Sequence, residues 1–114
     1  MSSTYYFSLP NTPPVGTNPV AVPYSSTPTF DFSQSKVQQI TLTGDATPVF
    51  INPTAGMEYT LLIMQDSVGG HAFNWPSSYK GSIPAGTTAS TASVFKLIYY
   101  GGYYYLLGAP IEGQ

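Results

Sequence analysis

"ASVFKLIYYGGYYYLL" spans Ala92–Leu107 and holds five of the chain's ten tyrosines. Gly101-Gly102 divides two strand-like runs. A two-residue type I′ hairpin loop needs positive φ at both positions, and glycine supplies it without steric cost. A loop of those two residues sets Tyr100 opposite Tyr103, Tyr99 opposite Tyr104, Ile98 opposite Tyr105 and Leu97 opposite Leu106. Side chains alternate along a strand. One face therefore carries Phe95, Leu97, Tyr99, Tyr104 and Leu106. The other carries Val94, Lys96, Ile98, Tyr100, Tyr103, Tyr105 and Leu107. Neither face is polar, so both call for cover, and the core can supply it for only one. An uncovered apolar face marks an interaction surface.

Upstream runs also read as strands. Val37–Thr43 ("VQQITLT") is rich in β-branched residues and ends at "GDATP". Val49–Asn52 ends at "PTAG", whose Pro53 and Gly56 suit a tight turn. Met57–Asp66 becomes continuously apolar through Leu61–Met64, as expected of a central strand covered on both sides. "HAFNW" reads as a further short strand. Helical alternatives fail because the few windows without Gly or Pro are dominated by β-branched and aromatic residues. The expected fold is all-β: an antiparallel β-sandwich or jelly-roll-like body over residues 30–114. Residues 1–29 differ. Their six prolines (Pro10, Pro13, Pro14, Pro19, Pro23, Pro28) favour an extended, proline-rich N-terminal arm. Its apolar residues Tyr5, Tyr6, Phe7, Leu9, Val20, Val22 and Tyr24 suit docking on the body or on a neighbour.

Composition excludes several functions. Charged residues make up 7% of the 114-residue chain, where about 25% is ordinary. There is no arginine and no cysteine, and the lysines are Lys36, Lys80 and Lys96. No basic stripe for nucleic acid and no polybasic membrane patch can be built from them. Disulfides and thiolate metal sites are excluded. The N-terminal stretch lacks the basic and apolar regions of a secretory signal. A net charge of −2 favours association over mutual repulsion.

Catalysis, cofactor and metal are not expected. His71 is the only histidine, in the turn after Gly69-Gly70. Asp66, Ser67 and His71 hold the residue types of a hydrolase triad but lie within one hairpin, without a nucleophile elbow. The carboxylates Asp31, Asp45, Glu58, Asp66 and Glu112 are scattered, mostly at turns suited to capping by a carboxylate. Trp75, with Tyr100 and Tyr103, supplies the aromatics for a glycan platform. Equally, "FNWP" reads as a strand end whose tryptophan seals the core.

From Ile40 onward the chain resembles a domain recurring in tailed-bacteriophage virion proteins. The residues that carry the resemblance are Thr41–Gly44, Asn52-Pro53, Gly56, Tyr59, Leu61, Gln65-Asp66, Gly69-Gly70, Trp75-Pro76 and Gly101–Tyr103. The resemblance implies a small contact-forming β-sandwich with no catalytic residues to carry over, found in tail fibres, baseplate proteins and head decorations. It implies a location in the virion, assembled in the host cytoplasm. The partners implied are other virion proteins, either the major capsid protein or tail proteins, and copies of the chain itself as a trimer. A domain standing nearly alone behind a proline-rich arm suggests a capsid decoration or cement protein. The alternative is a tail-fibre accessory or receptor-binding module. In either case Tyr5, Tyr6, Phe7, Leu9, Val20, Val22, Tyr24, Tyr100, Tyr103, Tyr105 and Leu107 are the expected subunit or shell contacts; under the receptor-binding alternative, Trp75, Tyr100 and Tyr103 are the candidate glycan contacts.

Overall fold

The glycine pair closes the hairpin in the expected register. The computed structural model describes residues 19–81 and 84–107. Eight strands are present: β1 Val20–Ala21, β2 Thr29–Asp31, β3 Val37–Leu42, β4 Val49–Ile51, β5 Glu58–Gln65, β6 Tyr79–Lys80, β7 Ala92–Tyr100 and β8 Tyr103–Leu106. No described residue is helical, so the all-β class holds. The β7–β8 ladder pairs Leu97 with Leu106, Ile98 with Tyr105, Tyr99 with Tyr104 and Tyr100 with Tyr103. Gly101 and Gly102 have φ of 62° and 88°, as a type I′ turn demands.

Six strands form one sheet in the order β1-β3-β5-β7-β8-β6, and β2 pairs with β4 in a second sheet. The pairings depart from the antiparallel sandwich expected. β1 with β3, β3 with β5, β2 with β4 and β6 with β8 are parallel; only β5–β7 and β7–β8 are antiparallel. From β1 to β5 the chain steps between the sheets at every strand, and each strand lies parallel to the one two places earlier. This is a solenoid-like winding. Its cause lies in the connections. Antiparallel neighbours can be joined by two residues, whereas parallel neighbours need a longer crossover. Of the links between consecutive strands, only Gly101-Gly102 is a two-residue hairpin; the links bearing Pro23, Pro28, Pro48 and Pro53 carry the chain across the layers instead.

Residues 20–29, on the arm side of the boundary expected at residue 30, belong to the ordered body. β1 adds an edge strand, the Val22 amide extends its ladder to the Gln39 carbonyl at 2.7 Å, and Val22 and Pro28 are buried.

The core lies between the large sheet and the β2–β4 layer. Ile40, Leu42, Tyr59, Leu61, Ile63, Phe95, Leu97 and Tyr104 point inward from the large sheet. Phe30 and Phe50 face them from the small one. Phe30 meets Phe50 edge-on at 5.5 Å and Phe73 at 6.1 Å. Phe32, just past β2, lies 4.2 Å from the Tyr59 ring. Pairs of this geometry add about 0.5–1.5 kcal/mol each beyond area burial.

The other face of the large sheet has no covering layer among the described residues. β5 is central in sequence order and in space, yet Leu62 and Met64 are only half-buried. The continuous apolar run therefore marks a central strand covered on one face, not on both as expected. "HAFNW" forms no strand; it contributes a single bridge, from Phe73 to Ala46.

Candidate functional site

The uncovered face can be read as rows across the strands. Gln39, Leu62 and Val94 make one row, and Val37, Thr60 and Lys96 the next. Glu58, Ile98, Tyr105 and Lys80 follow, then Tyr100 with Tyr103 at the hairpin end. Tyr100 is 68% exposed, Tyr103 42%, Tyr105 41% and Leu107 37%. These are the four contact residues expected on the hairpin, and the structure gathers them on one surface. Tyr103 and Tyr105 stand edge to face at 6.3 Å, and the Lys80 ammonium lies 4.5 Å from the Tyr103 ring centre. That cation–π contact steadies the tyrosine end of the face.

At the start of β5 the face dips into an open cleft of about 490 Å³ lined by Lys36, Val37, Gly56, Met57, Glu58, Thr60 and Lys96. Lys36 precedes β3 and Lys96 sits in β7, so β5 between them sets their spacing through the Val37–Thr60–Lys96 row. Neither ammonium has an acidic partner within 4.0 Å among the described residues. Sequence reasoning placed Lys96 on this face but missed Lys36. Its only signal was its place one residue before the outward-facing Val37.

Trp75 is not part of this surface. It packs on the core side, stacked on Tyr79 at 4.0 Å and edge-on to Phe73 and Phe95 at 4.9 and 5.0 Å. Its Nε1 is buried without a hydrogen-bond partner among the described residues. The structure thus brings Tyr100 and Tyr103 together and leaves Trp75 on the opposite side of the sheet, in the sealing position. Val20 is half-buried in β1, and Val22 packs into the chain's own core, so its side chain is not offered to a neighbour. Tyr24 is 37% exposed, and its hydroxyl donates to the Asp45 carbonyl at 2.8 Å. Tyr5, Tyr6, Phe7 and Leu9 lie outside the described residues.

The histidine and the aspartates are occupied by loops. Asp66 Oδ1 accepts from the Val68 and Gly69 amides, each at 3.0 Å, and lies 3.0 Å from His71 Nε2. The Gly69 amide is the main reason its carboxyl titrates below the usual 3.8. Asp31 is also held low, by Ser33 and then Asn52, and Asp45 Oδ1 accepts from the Ala72 amide at 2.8 Å. Gln65, buried at the end of β5, donates to the His71 and Gly86 carbonyls and accepts from the His71 amide. Burial pushes the Tyr104 phenol well above its usual range, with Tyr99 and Tyr59 adding to it. Among the described residues, no group of three or more His, Asp or Glu could hold a metal.

These structural roles coincide with the motif quoted above. Asn52, Gly56, Gly69, Gly70, Gly101 and Gly102 all have positive φ. The Tyr59 hydroxyl accepts from the Thr54 amide at 2.7 Å, and Leu61 is fully buried. Residues 22–104 match the family model described as "Putative phage tail fibre C-terminal domain". The chain belongs to this family. It is therefore a phage structural domain and a component of the virion. The tail fibre C-terminal domain family favours the tail-fibre alternative over the head decoration expected from the free-standing body. Comparisons with curated proteins and with solved structures returned no match. No helix among the described residues is long and apolar enough to cross a membrane.

Proposed function

We propose that the chain is a non-enzymatic contact domain of a phage tail fibre that meets its partners through the uncovered face of its six-stranded sheet. The observation that carries this reading is the concentration of Tyr100, Tyr103, Tyr105 and Leu107 on one exposed surface whose reverse side is core. Burying large aromatics in a contact releases the water they order, and tyrosine loses little conformational entropy in doing so. Asp66 and His71, the residue types suited to acid–base chemistry, are instead taken up in holding one loop. Tail proteins and further copies of the chain are the proposed partners, with a trimer as the proposed assembly. Tyr5, Tyr6, Phe7 and Leu9 would add an N-terminal contact to the one made by the sheet.

Gold-labelled antibody against the chain, applied to intact virions, tests the location. Label at the tail fibres supports the proposal. Label confined to the head overturns it in favour of a decoration role. Light scattering of the purified chain tests the assembly, and a monomer at every concentration would remove self-association from the proposal.

A further inference from the structure

Residues 1–18 lie outside the described residues, but β1 sets where they leave the body and in which direction. Val20 pairs with Gln38 in a parallel ladder, so Pro19 follows on beside Val37, and the chain before it points past Lys36 and off the end of the sheet. That end of the sheet holds the cleft between Lys36 and Lys96. The length of the segment decides which copy's cleft it serves. Pro10, Pro13, Pro14 and Pro19 favour an extended form. At about 3.1 Å per residue, Leu9 then stands roughly 31 Å and Tyr5 roughly 43 Å from Pro19. The chain's own cleft reaches no further than β7, three strand spacings or about 14 Å from β1. An extended arm both overshoots that cleft and points away from it. A second copy imposes neither constraint.

We infer that residues 5–9 of one copy dock in the Lys36–Lys96 cleft of a second copy, an exchange of arms that holds the copies together. The chemistry of the cleft fits this occupant. Its two ammonium groups have no acidic partner within 4.0 Å among the described residues, and an aromatic ring offers them the negative face of its π system. Tyr5, Tyr6 and Phe7 supply three rings in succession. Nothing lies within 4 Å of the position a Cβ on Gly56 would take, which leaves room for a flat ring against the backbone. Val37 and Met57 provide apolar walls, and the Glu58 carboxylate can accept from a phenol. A hollow of about 420 Å³ at the other end of the β5–β7 pair gives the contrast: it holds Asp66, Ser67, Ser90 and Thr91 but no cation to meet a ring. Prolines in the arm reduce the entropy lost on docking. Each copy gives one arm and receives another, a head-to-tail contact that three copies can close into a ring. The inference rests on the self-association proposed above and adds the surface that carries it. Tyr100, Tyr103, Tyr105 and Leu107 stay free for tail proteins.

The chain has no cysteine, so single cysteines report contacts without interference. Full-length chains carrying Ser8→Cys and Thr60→Cys are mixed and treated with a short bismaleimide. A link between the two different chains, located by peptide mass spectrometry, is expected. A chain carrying both substitutions that links only to itself, as a monomer, overturns the exchange, and no link in either case overturns the cleft as the docking site. Sedimentation then measures association. The Tyr5→Ala, Tyr6→Ala double variant should weaken it about tenfold, and Tyr5→Phe with Tyr6→Phe, which keeps the rings, should not. Lys36→Gln and Lys96→Gln should each weaken it about threefold to tenfold, and Lys96→Arg should recover most of the loss. Circular dichroism verifies that each variant is folded. Unchanged association in both glutamine variants removes the cleft from the contact. Residues 5–9 carry no charged side chain, so association should change little with salt; a steep loss would identify an acidic occupant and overturn the arm. Full association of a chain lacking residues 1–18, with label at the tail fibres, overturns the exchange and leaves the proposed function standing. Arm-to-cleft links with the label on the head do the reverse.

Discussion

Gly69 and Gly70 are adjacent and have nearly the same backbone, with φ of 72° and 77°. Their surroundings differ. A Cβ on Gly69 would lie 2.6 Å from the Ala89 amide nitrogen, and one on Gly70 would meet nothing within 4 Å. Gly70→Ala should therefore cost only the left-handed conformation, about 1–2 kcal/mol. Gly69→Ala should cost clearly more, because backbone cannot move aside as a side-chain tip can. Denaturant unfolding of the two variants checks the order, and equal losses would contradict it. Asp31 and Asp66 carry a pH prediction. Both have folded pKa values below the usual 3.8, so their stabilisation is fully present above that value and is lost as pH falls through the depressed ones. Melting temperature followed from neutrality into acid should fall below about pH 4. Asp66→Asn should start lower and show a shallower acid decline.

At the scale of elements, the hairpin and the winding have different origins. The β7–β8 register was legible because one local signal, two glycines with positive φ, determines every pair that follows. The strands β3, β4, β5 and β7 were legible for a similar reason, from β-branched and aromatic runs ended by turn residues. The parallel pairings were not. Whether a proline-bearing link returns beside its own strand or crosses to the opposite layer depends on what its two ends bury, and no residue within the link reports that. β1 shows the consequence. Pro19 and Pro23 flank it and suggest an extended arm free to dock on the body or on a neighbour, but only the fold shows that Val22 is buried in the chain's own core and that the edge of β3 accepts the strand. Removing residues 1–18 should leave the body folded, whereas removing residues 1–29 should destabilise it by at least the roughly 1.5–3 kcal/mol that burying a valine provides. Thermal melts of the two truncations separate these outcomes. Equal melting temperatures would mean that β1 contributes nothing.

For the whole molecule, the sparse charge sets what kind of contact is available. With aspartates held by loops and lysines gathered at one end of one face, most of the remaining surface can interact only through apolar groups and neutral hydrogen bonds, which salt screens little. Contacts between copies of the chain should therefore tolerate salt, and light scattering of the purified chain across a salt series checks this. The sequence by itself determined the all-β class, the hairpin and its two apolar faces, because alternation and glycine conformation act between near neighbours. It also determined the exclusion of thiol chemistry and of a basic nucleic-acid stripe, because residues that are absent cannot be supplied by folding. Only the tertiary structure decided which hairpin face is core, that Trp75 lies behind the sheet, and that Lys36 and Lys96 share a cleft. Each of these depends on β5 lying between β3 and β7, a pairing between distant segments that is set by burial of the whole core.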